Sequence, residues 1–316
     1  MTALFVAFII DLWIGDPVYP WHPVRLMGKA IEWGEARLRL VLKNEYFAGG
    51  ILAVGLPVLV FVGMSLIFNL CRLIHPALAW TVNMLGMYVA ISIHDLRKEA
   101  LGVFQDLLIG DLSQARQSVA RIVGRDTGHL SDEDVARATV ETVAESTVDG
   151  IVAPLFYAAL GGAPLVLAYK AVNTLDSMIG HRNARYERFG YIAAKIDHAV
   201  NWIPARLSWL CITIGALFCE KNAKAAFCHG WSFCIQRDAV SDIPQAAFAG
   251  ALQIQLGGEN FYEGRVVGKP LLGEKIHPIT PSCIQQSLNL MIVSAWLTLG
   301  GCLLLTVVCE IVRAIW

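Results

Sequence analysis

The chain of 316 residues is 56% hydrophobic and only 16% charged, and its 25 Lys+Arg against 26 Asp+Glu leave a formal net charge of -1. Soluble domains average about 25% charged residues, so this composition excludes a disordered chain, a collagen, a coiled coil and a basic nucleic-acid binder. It indicates a membrane protein with substantial polar segments, in which any anion must be held by a local cluster rather than by a global field.

Residues 1–15 are apolar but lack a basic leader and a small-residue cleavage site, and Asp11 interrupts them. They are expected to be retained and partly embedded, since a full span needs about 20 apolar residues. Residues 48–70 and 74–93 are uncharged runs separated only by Cys71, Arg72 and Leu73, which predicts a tight transmembrane hairpin. Residues 288–309 form a third apolar run. Two further runs are ambiguous: 151–169 carries Pro154, Gly161, Gly162 and Pro164, and 199–219 carries Asn201, Pro204 and Arg206. Broken apolar helices survive at membrane depth only where protein or a water-filled cavity covers the exposed backbone. The expected architecture is therefore an all-α polytopic membrane protein, one domain over 1–316 with about four or five spans and a helical polar cap. Polar segments 16–47, 94–150, 170–198 and 220–287 alternate with the apolar ones, and basic residues occur in all four, so they do not orient the chain. Ser131 followed by Asp132, Glu133 and Asp134 predicts a helix N-cap. Little of the sequence reads as strand. The eight cysteines show no metal-ligand spacing and are expected to be free, mostly buried thiols.

Polar chemistry is densest over 121–206. Glu141, Glu145 and Asp149 recur in steps of four, on one helical stripe that drifts about 40° per step. They form either a solvated acidic face or, because an apolar run follows at once, a catalytic or Mg²⁺-binding stripe. Asn173, Asp176 and Ser177 share a helical face, suited equally to a cation shell and to interhelical hydrogen bonds. Arg182, Arg185 and Arg188 recur in steps of three, as a phosphate or carboxylate clamp or as an interfacial basic cluster. Asn201 sits at the polar lip of an apolar helix. Arg125-Asp-Thr-Gly128 is a turn signal. The proline-rich stretch Gly15 to Arg25 pins His22 and Arg25 in a stiff loop, where Tyr19 and Trp21 also suit an interfacial anchor. Gly257-Gly258, shortly before Asn260, is a second turn signal. No Walker A sequence follows it, so phosphate cradling there rests on spacing alone.

Several of these segments are similar to a known family. Ile122-Val-Gly-Arg-Asp-Thr127, Glu141-Thr-Val-Ala-Glu-Ser-Thr-Val-Asp-Gly-Ile-Val-Ala-Pro-Leu-Phe-Tyr157, Ala171-Val-Asn-Thr-Leu-Asp-Ser-Met178 and Asn201-Trp-Ile-Pro-Ala-Arg206 resemble the CobD/CbiB family of adenosylcobinamide-phosphate synthases. So do Gly15-Asp-Pro17, His22-Pro-Val-Arg-Leu-Met-Gly28, Ala247-Phe-Ala-Gly-Ala-Leu252 and Leu256-Gly-Gly258. Two departures stand out. Ser146 replaces the asparagine usual after Glu145, and Gln245 replaces a glutamate in a stretch that the family usually makes richer in proline. The resemblance implies an inner-membrane enzyme of cobalamin biosynthesis. It would join adenosylcobyric acid to an amino-alcohol phosphate such as (R)-1-amino-2-propanol O-phosphate, through an amide, with ATP and Mg²⁺. Its partners would be the corrinoid, the amine, the bilayer and other membrane enzymes of cobalamin assembly, with no nucleic acid.

For that chemistry, Glu141, Glu145, Asp149 and Asp176 are the expected metal ligands, with Asn173 beside them. Arg125, Arg182 and Arg185 are the expected grips on phosphates or corrinoid side chains. Arg25, Asp126, Asn201, Gly257, Gly258 and Asn260 complete the expected binding set. A carboxylate of the stripe or His22 would accept the amine proton. Two rivals are a transporter, which the lack of paired broken segments opposes, and a non-catalytic signalling protein of the AmpE-like type, which would not need the acidic stripe.

Overall fold

The computed structural model describes all residues except Val18, Pro20, Arg182, 237–239, Glu263 and Trp316, with backbone alone over 309–315. The chain packs as two compact units, each discontinuous in sequence: residues 1–92, 153–202 and 301–316, and residues 93–152 and 203–300. Four helical stretches are long and apolar enough to cross a membrane: Glu45–Ile74, Pro76–Ile109, Asp132–Ile179 and Pro281–Val308. The bent pair Tyr191–Val200 and Trp202–Phe218 makes a fifth if it crosses as one. The polytopic helical architecture implied by composition is what the chain adopts.

In the first unit, α1 (Thr2–Ile14) has 13 residues, about 20 Å at 1.5 Å per residue. That falls short of a hydrocarbon core of about 30 Å. α2 (Pro23–Val41) starts with proline at its first turn, where a missing N–H costs nothing. α3 (Glu45–Ile74) is capped by the Asn44 side chain, which accepts from Phe47 N–H at 3.1 Å. Only 17% of its most apolar window is buried, and Val58, Leu59, Leu66 and Leu73 are exposed. A helix apolar all round with so little protein cover presents its surface to lipid. α4 (Pro76–Tyr88) follows after the single residue His75, whose Nδ1 accepts from Ala77 N–H. The two apolar runs are joined as closely as expected, but the break falls at His75, and Cys71, Arg72 and Leu73, expected to form the connection, belong to the last turn of α3.

α8 (Ala153–Ile179) is two helical pieces joined by a kink at Gly161 and Gly162, where Gly162 takes φ 65. The Ala163 N–H beyond the break donates to Asn83 Oδ1 on α4 at 2.8 Å. A neighbouring helix thus covers backbone that lipid could not satisfy. A Cβ on Gly162 would come within 2.7 Å of that same Asn83 oxygen. α9 (Tyr191–Val200) completes the unit.

The second unit holds α5 (Ile93–Ile109), α6 (Leu112–Ala120), α7 (Asp132–Thr147), a π-helical turn at Val148–Val152, α10 (Trp202–Phe218, all but its first residue), α11 (Ala223–Cys234), α12 (Asp242–Leu252) and most of α13 (Pro281–Ile315). Ser131 caps α7 in a full capping box with Asp134, as the sequence predicted. α12 is buried at every position from Ile243 to Leu252, and a Cβ on Gly250 would collide with the Ala225 carbonyl at 2.5 Å. Gly250 is therefore the position that lets α11 and α12 approach closely.

One expectation is corrected. Gly257 and Gly258 lie within strand β1 (Leu256–Tyr262), paired antiparallel with β2 (Arg265–Leu272), and the reversal falls after Tyr262. The two glycines take φ 82 and 88, and the pairing register shifts between Leu256 and Gly258. Consecutive left-handed residues bend a strand and offset its register, as in a β-bulge. The local signal for a turn was real, but the long-range pairing turned it into a strand irregularity.

Candidate functional site

In the second unit, three segments distant in sequence meet in one buried polar network. α7 supplies Glu141, whose Oε1 accepts from Gly257 N–H at 2.8 Å and whose Oε2 accepts from Arg125 at 2.7 Å. Both partners of that ion pair are nearly buried, with side chains 5% and 6% exposed. Arg125 also donates to the Asn260 side-chain oxygen on β1. The Arg125–Gly128 turn is tied to the ribbon a second time: Asp126 N–H donates to Phe261 O at 2.9 Å, and Gly264 N–H donates to the Asp126 carboxylate at 2.8 Å. Arg125, Asp126, Glu141, Gly257 and Asn260 are thus brought together, with Gly258 adjoining. Three donors in this cluster, Arg125 Nε, Arg137 Nε and Asn260 Nδ2, are buried without an acceptor among the described residues. Native structures leave few such groups, and each calls for an explanation.

The acidic stripe is not a uniform metal site. Both oxygens of Glu141 are committed to Arg125 and to the ribbon backbone, so its role is to anchor the ribbon. Glu145 is half-buried and faces the Gln245 amide on α12 at 3.4 Å. Asp149 lies in the π-helical turn, where the widened helix breaks the regular i, i+4 phase assumed for the stripe. Asp176, on α8, belongs to the other unit. Among the described residues, no three His, Cys, Asp or Glu gather as a metal site requires. Mg²⁺ usually keeps several waters and binds through one or two carboxylates plus substrate phosphates. Glu145 and Asp149 are half-buried carboxylates, oxygen donors of the kind such an ion takes, whereas both oxygens of Glu141 already accept from Arg125 and Gly257.

The remaining expected residues lie in the first unit. Asn201 is buried and linked on both sides: its oxygen accepts from the Tyr169 hydroxyl at 2.9 Å, and its amide donates to Asp197 at 3.0 Å. It closes an internal network between α8 and α9, not an open binding lip. His22, buried at the start of α2, pairs with Asp16 at 2.8 Å, while Arg25 is exposed. Asn173 and Asp176 are half-buried on α8, and the Asn173 carbonyl accepts from the Ser177 hydroxyl. Arg185 is 67% exposed and holds Glu35 at 3.1 Å. Arg182 lies outside the described residues.

Sequence reasoning missed three participants. Arg137 donates to the Gly257 carbonyl and, at 3.0 Å, to Asp134; its spacing of three from Asp134 and four from Glu141 on one helix was the available signal. Glu35 on α2 is buried and accepts from Arg39 at 3.0 Å, from Arg185 and, at 3.3 Å, from the Tyr186 hydroxyl. Burial and the nearby Glu35 charge both raise the Tyr186 pKa above its ordinary value. The Glu35–Arg39 spacing of four was legible, but the partners 150 residues away were not. Asn83 carried no sequence signal.

Comparison with known proteins bears on these segments. A family model described as CobD/Cbib protein matches residues 4–291. The cobalamin biosynthesis protein CobD of Klebsiella pneumoniae subsp. pneumoniae is 40% identical over 309 residues, covering 95% of each chain. That of Clostridium perfringens is 39% identical, covering 99% of this chain and 100% of its own. The cobalamin biosynthesis protein CbiB of Salmonella arizonae is 39% identical, covering 92% of each chain. No solved structure matches.

Proposed function

This chain belongs to the CobD/CbiB family, and from that premise we propose that it is the membrane enzyme of cobalamin biosynthesis that ligates adenosylcobyric acid to an amino-alcohol phosphate, giving adenosylcobinamide phosphate. The cytoplasmic membrane is its proposed location, with ATP and Mg²⁺ as co-substrate and cation. The observation that most supports the reading is the set of buried donors Arg125 Nε, Arg137 Nε and Asn260 Nδ2, which have no acceptor among the described residues. A phosphate or carboxylate oxygen of a substrate is the acceptor such donors suit.

A carboxylate is a poor electrophile near neutral pH. The corrinoid carboxylate oxygen therefore attacks the γ-phosphorus of ATP, releasing ADP and leaving an acyl phosphate. The amine nitrogen then attacks the acyl carbon, the C–O bond to phosphate breaks, and the ammonium loses a proton. Arg125, fixed by Glu141 and Asn260, presents guanidinium charge to phosphate oxygens without having to reorganise. Glu145 or Asp149 would hold Mg²⁺, which neutralises charge on the nucleotide phosphates when bound. Glu145 or Asp149, whichever the cation does not hold, is the chain's acceptor for the amine proton.

The test uses purified full-length protein in detergent. ATP should be consumed only when both the corrinoid acid and the amine phosphate are present, with an amide product in equal amount. ATP turnover indifferent to the amine, or no turnover with all three present, would overturn the reading.

A further inference from the structure

We propose that the face of α5 that meets the end of α6 is a binding site for a phosphate-bearing anion, separate from the Arg125–Glu141 network. A cleft of about 510 Å³ opens there, lined by His94, Arg97, Lys98, Glu99, Gly102 and Arg121, with Leu101 and Gln105 completing it. Ligand pockets span about 300–1,000 Å³, so the cleft has room for a polyphosphate or a phospholipid headgroup.

The site is built by helix periodicity. His94, Arg97, Lys98, Leu101, Gly102 and Gln105 recur at intervals of three and four, one continuous stripe of α5. The opposite face, Ile93, Ala100, Val103 and Leu107, is buried, so the charged stripe cannot turn inward. Arg121 caps the C-terminus of α6 and reaches across the cleft, its Nε 2.9 Å from Glu99. A Cβ built on Gly102 would lie 4.0 Å from the Arg121 guanidinium, in ordinary contact with it.

The charge balance decides what fits. Three permanent cations face one carboxylate, and that carboxylate is already paired with Arg121. Arg97 and Lys98 are exposed and adjacent, and neither has a carboxylate within salt-bridge distance among the described residues. Two unneutralised cations beside a guanidinium repel one another, and a multiply charged oxyanion removes that repulsion. The arginine forks supply paired donors to it and the lysine supplies a point charge. A nucleotide's phosphate chain and an anionic lipid headgroup share this chemistry.

The test measures binding directly, so its failure is separate from failure of the ligase reading. Full-length protein in a neutral detergent is titrated with inorganic tripolyphosphate. It is also reconstituted into phosphatidylcholine nanodiscs with and without phosphatidylglycerol, and the retained lipid is quantified by native mass spectrometry. The double variant Arg97→Gln/Lys98→Gln, at exposed positions, should weaken binding at least about tenfold. Glu99→Gln, which removes the one carboxylate, should tighten it about threefold. Tripolyphosphate binding that follows this pattern identifies a soluble phosphate ligand. Selective phosphatidylglycerol retention that follows it, with no tripolyphosphate binding, identifies a lipid headgroup. If neither probe responds to the variants while circular dichroism shows them folded, the site does not exist.

Discussion

Glu141→Gln separates anchoring from chemistry. The substitution keeps shape and leaves an amide oxygen to accept from Gly257 N–H, but it removes the charge facing Arg125 at 2.7 Å. Because the Arg125 side chain is only 5% exposed, its charge is left buried and uncompensated. Removing one partner of a buried pair costs about 3–5 kcal/mol. The surviving Gly257 and Asn260 bonds place this case near 3. For a chain of this size each kcal/mol moves the melting temperature by about 2–4 °C, so a fall of roughly 6 °C or more is expected in a detergent melt. Arg125→Met with Glu141→Gln should be less destabilised than the sum of the single variants, by about 2 kcal/mol, since the two residues act as one unit. Tryptic cleavage within 257–272 should also accelerate as the ribbon loosens. An unchanged melting temperature with collapsed turnover would refute the anchoring argument and return Glu141 to the chemistry.

Other outcomes are equally specific. Asn83→Ala should cost about 1–3 kcal/mol by leaving the Ala163 N–H without its acceptor, measured as a lower melting temperature; no change would mean another group covers the break. Gln245→Glu sets a buried carboxylate beside the half-buried Glu145, and like charges so placed should lower stability by roughly 2–4 kcal/mol; added Mg²⁺ should restore the melt, and indifference to Mg²⁺ would speak against a cation at Glu145. Glu35→Gln should detach the 183–189 segment, read as faster backbone hydrogen exchange there, because Glu35 gathers Arg39, Arg185 and Tyr186. Arg185→Lys should lose at least about tenfold in kcat/KM, roughly 1.4 kcal/mol, if the fork grips substrate; wild-type kinetics would leave Arg185 a partner of Glu35 alone.

The sequence by itself determined what depends on neighbours along the chain. Uncharged runs of span length, the short connection between two of them, the Ser131 cap and the interruption at Gly161–Gly162 are all written locally, because helix length, capping and backbone freedom are set within a few residues. Long motifs also placed the chain in its family. Tertiary structure alone decided which polar groups are already spent. Glu141, Glu145 and Asp149 look equivalent in steps of four, yet Arg125 from one loop and Gly257 from a ribbon more than a hundred residues on claim Glu141, while a π-helical turn shifts Asp149. Asn201 looked like a binding lip until Tyr169 and Asp197 enclosed it. A side chain's chemistry is legible in its residue type, but its availability depends on partners that only long-range packing brings within hydrogen-bond distance.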